Sequence, residues 1–189
     1  VPGLHLAAPR DGARLRALLR ECVQISDGPS VVRFAKGPVG VDIDAIDRIG
    51  TVDVLRSDQN PKVLLVGVGQ MASMAVGVGE ELAKVGIGST VVDPRWIKPL
   101  DPAIADLAAL HQLVVTIEDN GRQGGVGATV LTLLSDRQID VPVQLHGVEQ
   151  EFLDHAKRDV ILSRLGLTVE AIAADAISRL GESMTEQSR

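Results

Sequence analysis

Apolar and polar residues alternate along the chain with two different periods. Short runs of Val, Ile and Leu are typical of buried strands, and the stretches between them carry apolar residues at helical spacing. The strand runs lie at 63–66, 89–92, 113–117 and 141–146. The helical stretches lie at about 70–85, 101–110, 123–135, 158–165 and 168–180. This alternation predicts an α/β fold with a mostly parallel sheet and helices on both faces.

The first 37 residues repeat the pattern on a smaller scale. An apolar strand at 4–8 is followed by a helix whose apolar positions fall within 13–23, and by a second strand at 30–34. A block this short cannot bury a core of its own, so we interpret it as the last βαβ portion of a preceding domain. Because residue 1 is Val, either the start was removed or the chain is part of something longer.

The stretch from 38 to 61 is rich in Gly, Pro, Asp and Asn and contains only a short possible strand at 52–55. Such a composition is typical of a connection between domains. The predicted organisation therefore has four parts: a remnant of the preceding domain at 1–37, a linker at 38–61, an α/β domain at 62–180 and a frayed tail at 181–189.

Composition and charge exclude several classes of partner and site. The net charge of −6 argues against a nucleic-acid partner, because affinity for a phosphate backbone comes from clustered Lys and Arg. Cys22 is the only cysteine, which excludes an internal disulfide and a thiolate zinc cluster, and we expect it to be a small buried hydrophobe. No apolar run approaches the roughly 20 residues of a membrane span, and the first residues given show no basic segment followed by an apolar core. We expect a cytoplasmic protein without membrane contact.

The segment from Gly67 to Ala72 has the GxGxxA form of a dinucleotide-binding turn. Asp93 follows the next apolar run about 20 residues later, where an acid that binds a ribose is expected. The same match arises often by chance, so a nucleotide site and a purely structural turn both remain open at this point.

A second glycine-rich segment follows the strand that ends in Glu118, Asp119 and Asn120. The start of its helix could receive an anion, but the acids would repel one, and the Lys and Ser/Thr of a phosphate loop are absent. We favour a structural role in which the glycines allow close approach to a neighbouring domain or subunit.

The four histidines share no spacing typical of metal ligands, and no metal site is expected. His111 lies at the end of a helix, where we expect it to interact with the helix dipole. Two cations, Arg33 and Lys36, flank the end of a strand near the predicted linker and could bind a phosphate or carboxylate, or form a solvated or salt-bridged pair.

Together these stretches resemble the transketolase-like, thiamine-diphosphate enzymes. The resemblance rests on "VGVGQMASMAVGVGEELAKVGIGSTVVDPRWIKPLD" and "LVVTIEDNGRQGGVGATV", which match their C-terminal domain. Three more stretches are similar to the 1-deoxy-D-xylulose-5-phosphate synthase family: "VPGLHLAAPRDGARLRALLREC", "DGPSVVRFAKG" and "HGVEQEFLDHAKRDVILSRLGLT". The resemblance covers about residues 1–180.

The resemblance implies an activity that this chain cannot complete alone. Members of that family join pyruvate to glyceraldehyde 3-phosphate with loss of CO2, for isoprenoid and thiamine biosynthesis. Their thiamine diphosphate and Mg²⁺ are held by an N-terminal domain, and the activating glutamate comes from a middle, pyrimidine-binding domain. The resemblance therefore implies that those domains, in the same or a separate chain, are partners, and that the assembly is a homodimer. It also implies that the GxGxxA turn is structural.

One binding residue carries over from the family. The arginine that opens its Arg-aromatic-Pro-basic-Gly motif contacts the phosphate of the aldehyde substrate, and it matches Arg33. Two positions depart from the pattern, since Ala35 and Glu149 stand where the family has Pro. The resemblance gives no catalytic, cofactor-binding or metal-binding residue in this chain.

Two alternatives stay open. The first is a truncated paralogue without catalysis that acts as an interaction module. The second is a subunit of a 2-oxo-acid dehydrogenase or of a two-chain transketolase, against which the stretch from Phe152 to Thr168 argues.

Overall fold

The structure is a computed structural model that describes residues 1–186. Its strands are β1 (His5–Ala7), β2 (Ser30–Val32), β3 (Asp47–Ile49), β4 (Val52–Ser57), β5 (Val63–Gly67), β6 (Ser89–Asp93), β7 (Trp96–Lys98), β8 (Leu113–Gly121) and β9 (Val143–Val148). Its helices are α1 (Gly12–Gln24), α2 (Met71–Lys84), α3 (Ala103–Ala108), α4 (Val126–Asp136), α5 (Arg158–Arg164) and α6 (Val169–Glu186).

The larger of the two sheets has six strands in the order β3-β4-β6-β5-β8-β9. The neighbouring strands β6, β5, β8 and β9 pair in parallel, while β4 is antiparallel to both β6 and β3. β5 and the first half of β8 are rich in Val, Leu and Ile, as expected for strands that are buried on both faces. The predicted α/β fold with a mostly parallel sheet is confirmed.

Alternate residues of these strands enter two separate cores. Leu65 and Val115 point to the face covered by α2 and α6, whereas Leu64, Val66 and Val114 point to the face covered by α3 and α4. The period of two along each strand thus assigns its side chains to opposite layers. Helices on both faces, as predicted, complete a three-layer arrangement.

The smaller sheet has three strands in the order β2-β1-β7. β1 and β2 are parallel and joined by α1, which confirms the predicted βαβ portion. β7 comes from the later part of the chain and pairs antiparallel with β1. Its Trp96 packs in a small core with Leu18 and Cys22, so the predicted burial of Cys22 is confirmed. The first block is therefore attached to the rest through β7.

Three features differ from the sequence expectations. The possible strand at 52–55 within the predicted linker is β4, a buried strand of the large sheet. β7 had no counterpart among the predicted strands. The last helix continues to Glu186, beyond the predicted start of the tail, and 187–189 lie outside the described residues. The division into domains stays a prediction.

Within residues 1–186, every helix is too short or too polar to cross a membrane.

Candidate functional site

The carboxyl ends of β5 and β8 form a crevice where ligands commonly bind in this kind of sheet. β5 leads through α2 to β6 on one side, and β8 leads through α4 to β9 on the other. α2 and α4 cover opposite faces of the sheet. The chain therefore leaves β5 and β8 in opposite directions. Such a place is called a topological switch point, and it leaves room for a ligand beyond the strand ends. Asp119, near the end of β8, lies at this point.

The carboxylate of Asp119 joins two arginines from different parts of the chain. Its Oδ1 accepts a hydrogen bond from Nη1 of Arg33 at 2.9 Å, and its Oδ2 accepts one from Nη2 of Arg158 at 2.6 Å. The side chain of Asp119 is 9% exposed, but those of Arg33 and Arg158 are 38% and 45% exposed. The acid is thus buried beneath two accessible guanidinium groups.

Burial of Asp119 favours its neutral form, but the hydrogen bonds and charges of Arg158 and Arg33 outweigh this effect. The pKa of Asp119 is therefore lowered below its ordinary value. The group is ionised at neutral pH, and the three side chains together carry a net charge of about +1.

Arg33 is fixed at this position by the small sheet. Its backbone N–H donates to the carbonyl of Ala7 at 2.8 Å, which continues the pairing of β2 with β1 beyond the end of the strand. Lys36 lies apart from the Asp119 contacts and lines a cavity of about 320 Å³ with Phe34 and Gln70. The structure thus brings Arg33, but not Lys36, to Asp119.

Glu118 occupies the start of α4 that the sequence analysis considered for an external anion. Its Oε2 and Oε1 accept hydrogen bonds from the backbone N–H groups of Val126 (2.8 Å) and Gly127 (3.0 Å). A Cβ at Gly125 would clash with this carboxylate, and one at Gly127 would lie 2.5 Å from Thr116 Oγ1. An acid of the same chain thus serves as the anion at this helix start, in the place that an external anion would take. Within this chain, Gly125 and Gly127 allow the backbone at the start of α4 to lie close to Glu118.

The GxGxxA turn does not provide a nucleotide site with Asp93. Asp93 is fully buried, and its carboxylate accepts hydrogen bonds from Arg10 Nη1 at 2.8 Å and from the backbone N–H of Arg95 at 2.9 Å. Gly69 has a φ of 56° and packs against Ala8, which covers the turn. The acid is therefore unavailable to a ribose, and the structural reading of the turn holds.

His111 packs at the end of α3 as expected. Its Nδ1 lies 2.7 Å from the carbonyl oxygen of Leu107, and its Nε2 lies 2.9 Å from Thr90 Oγ1. Burial lowers the pKa of His111, only partly opposed by its bond to Leu107, so the ring is neutral at pH 7. Among the described residues, no group of three His, Cys, Asp or Glu side chains is placed to hold a metal ion.

Glu149, which stands where the family has Pro, forms an ion pair with Arg122. Its Oε1 accepts a hydrogen bond from Arg122 Nη1 at 2.5 Å, at the exposed side of the glycine-rich segment.

Sequence reasoning did not single out Arg158, which is separated from Arg33 by more than half of the chain. The available signal was a cation, next to Lys157, at the start of a predicted helix, where the helix dipole makes cations unfavourable without an anionic partner.

Comparison with known proteins places this architecture in a family. Residues 50–172 match the family model described as "Transketolase, C-terminal domain". The chain is 53% identical over 186 residues to the 1-deoxy-D-xylulose-5-phosphate synthase of Frankia casuarinae, covering 96% of this chain and 28% of the relative. It is 52% identical over 177 residues to the synthase of Thermobifida fusca, covering 92% and 28%. The chain thus spans just over a quarter of the length of these curated relatives.

Solved structures agree on the fold. A chain described as "Split gene transketolase, inactive beta4 tetramer" matches with a TM-score of 0.81 and 27% identity, covering 92% of this chain and 57% of that one. Transketolase from Campylobacter jejuni matches with a TM-score of 0.71 and 15% identity, covering 94% and 26%, which concerns the fold alone. The expected resemblance to the C-terminal portion of the synthases is confirmed, and the alternative readings are not favoured.

Proposed function

The chain belongs to the family of transketolase C-terminal domains, and from this we propose that it is the C-terminal portion of a 1-deoxy-D-xylulose-5-phosphate synthase. The complete enzyme joins pyruvate to glyceraldehyde 3-phosphate and releases CO2. In that enzyme this portion binds the phosphorylated aldehyde rather than performing the bond-making steps.

The observation that carries this proposal is the position of Arg33. Its side chain is 38% exposed beside the switch point of the large sheet, its guanidinium group is held by Asp119, and its backbone N–H is bonded to Ala7 of β1. A planar guanidinium group forms paired hydrogen bonds with phosphate oxygens. Arg33 would therefore anchor the phosphate end of the aldehyde, and binding energy at that end orients the carbonyl for reaction elsewhere.

Thiamine diphosphate and Mg²⁺ would supply carbanion chemistry in the complete enzyme. In the part of the chain that the structure describes, no group of three His, Cys, Asp or Glu side chains is placed to hold a metal ion. We assign both to the N-terminal and middle domains, in the same or a separate chain. The first 37 residues would complete the middle domain, and the full assembly would be a cytoplasmic homodimer.

The test is an Arg33→Ala variant of the complete enzyme. Loss of charge-assisted hydrogen bonds to phosphate predicts a rise of roughly ten-fold or more in the KM for glyceraldehyde 3-phosphate. The KM for pyruvate and the kcat/KM with phosphate-free D-glyceraldehyde should stay within about two-fold of the wild type. Arg16→Ala, at an exposed arginine of α1, is the matched control. An unchanged KM for the aldehyde phosphate in Arg33→Ala would refute the assignment.

A further inference from the structure

In this arrangement, Arg33 alone would bind a phosphate dianion only weakly. Its positive charge is opposed by the carboxylate of Asp119, whose Oδ1 lies 2.9 Å from Nη1. A neutral pair gains little from a charged ligand, so the site needs a second cation. Arg158 supplies it, because its Nη2 lies 2.6 Å from the other oxygen of the same carboxylate.

Arg158 is also placed correctly relative to the crevice. It is the first residue of α5, and its Nη2 lies 3.7 Å from Sδ of Met71, the first residue of α2. Its guanidinium group therefore lies between the start of α2 and the end of β8. These are the two chain segments that border the switch point. Its side chain is 45% exposed, so N–H groups remain accessible from outside.

We propose that Arg158 is a second phosphate-binding residue of this site, and that Asp119 is the positioning residue that holds both guanidinium groups toward one ligand phosphate. This proposal rests on the proposed function and extends it. The buried carboxylate fixes one edge of each planar group, and the remaining N–H groups can converge on phosphate oxygens. With the ligand bound, two positive charges oppose the phosphate and the single carboxylate.

The experiment uses the complete enzyme with Arg158→Gln and Arg158→Lys. We expect Arg158→Gln to raise the KM for glyceraldehyde 3-phosphate roughly ten-fold. Arg158→Lys should recover part of that loss, because the charge remains but paired hydrogen bonding does not. The parameters with D-glyceraldehyde and the KM for pyruvate should not change. Arg164→Gln, at the last residue of α5, is the matched control for the helix.

A positioning role for Asp119 has its own readout. Asp119→Asn keeps an acceptor oxygen but removes the charge that fixes both arginines, so the KM for the aldehyde phosphate should rise while turnover of D-glyceraldehyde persists. If removing a competing negative charge mattered more than positioning, Asp119→Asn would instead lower this KM, and the positioning role would be rejected.

The two proposals fail in different ways. If Arg33→Ala impairs use of the aldehyde phosphate while Arg158→Gln behaves as the wild type, the second phosphate ligand is refuted and the proposed function stands. If neither variant alters that KM, the proposed function is refuted as well. If Arg158→Gln impairs both aldehydes equally, Arg158 has only a structural role. If Arg158→Gln does not fold, the ratio of kcat/KM for the two aldehydes is measured with Arg158→Lys instead. A ratio equal to that of the wild type would refute the proposal.

Discussion

At the scale of single residues, neighbouring acids at the end of β8 have different tasks. Glu118 is fully buried and bonds the backbone at the start of α4, whereas Asp119 holds the two exposed arginines. Successive side chains of a strand point to opposite sides, which separates the two carboxylates. One acid therefore supports the fold, and its neighbour supports the candidate site.

Replacing Glu118 by Gln should reduce the free energy of unfolding by about 1–3 kcal/mol. The amide keeps the shape but removes the negative charge that accepts hydrogen bonds from Val126 and Gly127 at the positive end of α4. Urea denaturation followed by circular dichroism measures the change. Glu149→Gln, at an exposed acid paired with Arg122, should stay within about 0.5 kcal/mol of the wild type. Equal effects of the two substitutions would contradict the role of Glu118.

At the scale of elements, the turn between β5 and α2 depends on the absence of a side chain at Gly67. A Cβ there would lie 2.6 Å from Cα of Ala72 and 2.8 Å from Cβ of Ala75. The GxGxxA pattern is therefore explained by close packing of a strand against the helix that follows it. The same requirement exists in nucleotide-binding turns, which is why the pattern alone does not distinguish them.

Gly67→Ala should accordingly destabilise the protein by about 1–3 kcal/mol, because the added methyl group overpacks the strand and helix. Gly181→Ala is the matched control, since a Cβ at this position of α6 meets no atom within 4 Å. Alanine has the higher helix propensity, so that variant should be neutral or more stable by up to about 1 kcal/mol. The check is the midpoint of urea denaturation for both variants, and a neutral Gly67→Ala would disprove the packing argument.

The sequence predicted the elements whose pattern is local and missed those defined by distant partners. The core strands and their helices follow from runs such as 63–66 and 113–117, which are apolar whatever their neighbours. β7 contains Trp96 and Lys98 without a clear period, and it is a strand because β1 pairs with it. Likewise, resemblance identified Arg33 as a phosphate ligand, a role that stays a prediction. Arg158 required the tertiary contact with Asp119 to be noticed.

At the scale of the whole molecule, one buried arginine links the first block to the large sheet. Nη1 of Arg10 donates to Asp53 on β4 (2.7 Å) and to Asp93 on β6 (2.8 Å), and its Nη2 donates to the carbonyl of Ile43. Asp53 and Asp93 lie directly opposite each other on adjacent strands. Like charges in such a pair repel, so the guanidinium group of Arg10 is needed between them.

The two carboxyl groups respond differently to this environment. Burial opposes ionisation of Asp53, but hydrogen bonds from Arg10 and Arg48 outweigh it and lower its pKa. Burial dominates at Asp93 and raises its pKa to about 6, although Arg10 and the backbone N–H of Arg95 oppose the rise. In both cases Arg10 lowers the pKa. Its removal must therefore raise both values above those of the wild type.

We expect Arg10→Met to destabilise the protein more at alkaline than at acidic pH. With both folded-state pKa values above those of the wild type, the folded variant binds more protons than the folded wild type, while the carboxyl groups of the two unfolded chains titrate alike, so the loss of stability grows as the pH rises through these pKa values. At about pH 8 the buried carboxyl groups of Asp53 and Asp93 would face each other without Arg10, although Asp53 keeps its ion pair with Arg48, and the loss should reach about 3–5 kcal/mol. At about pH 5 protonation relieves the repulsion, and the loss should be smaller. Urea denaturation at both pH values measures this difference, with Arg16→Met on the exposed side of α1 as the control. A loss that is equal at both pH values would mean that Arg10 stabilises the junction by packing its side chain, and not by compensating the charges of Asp53 and Asp93.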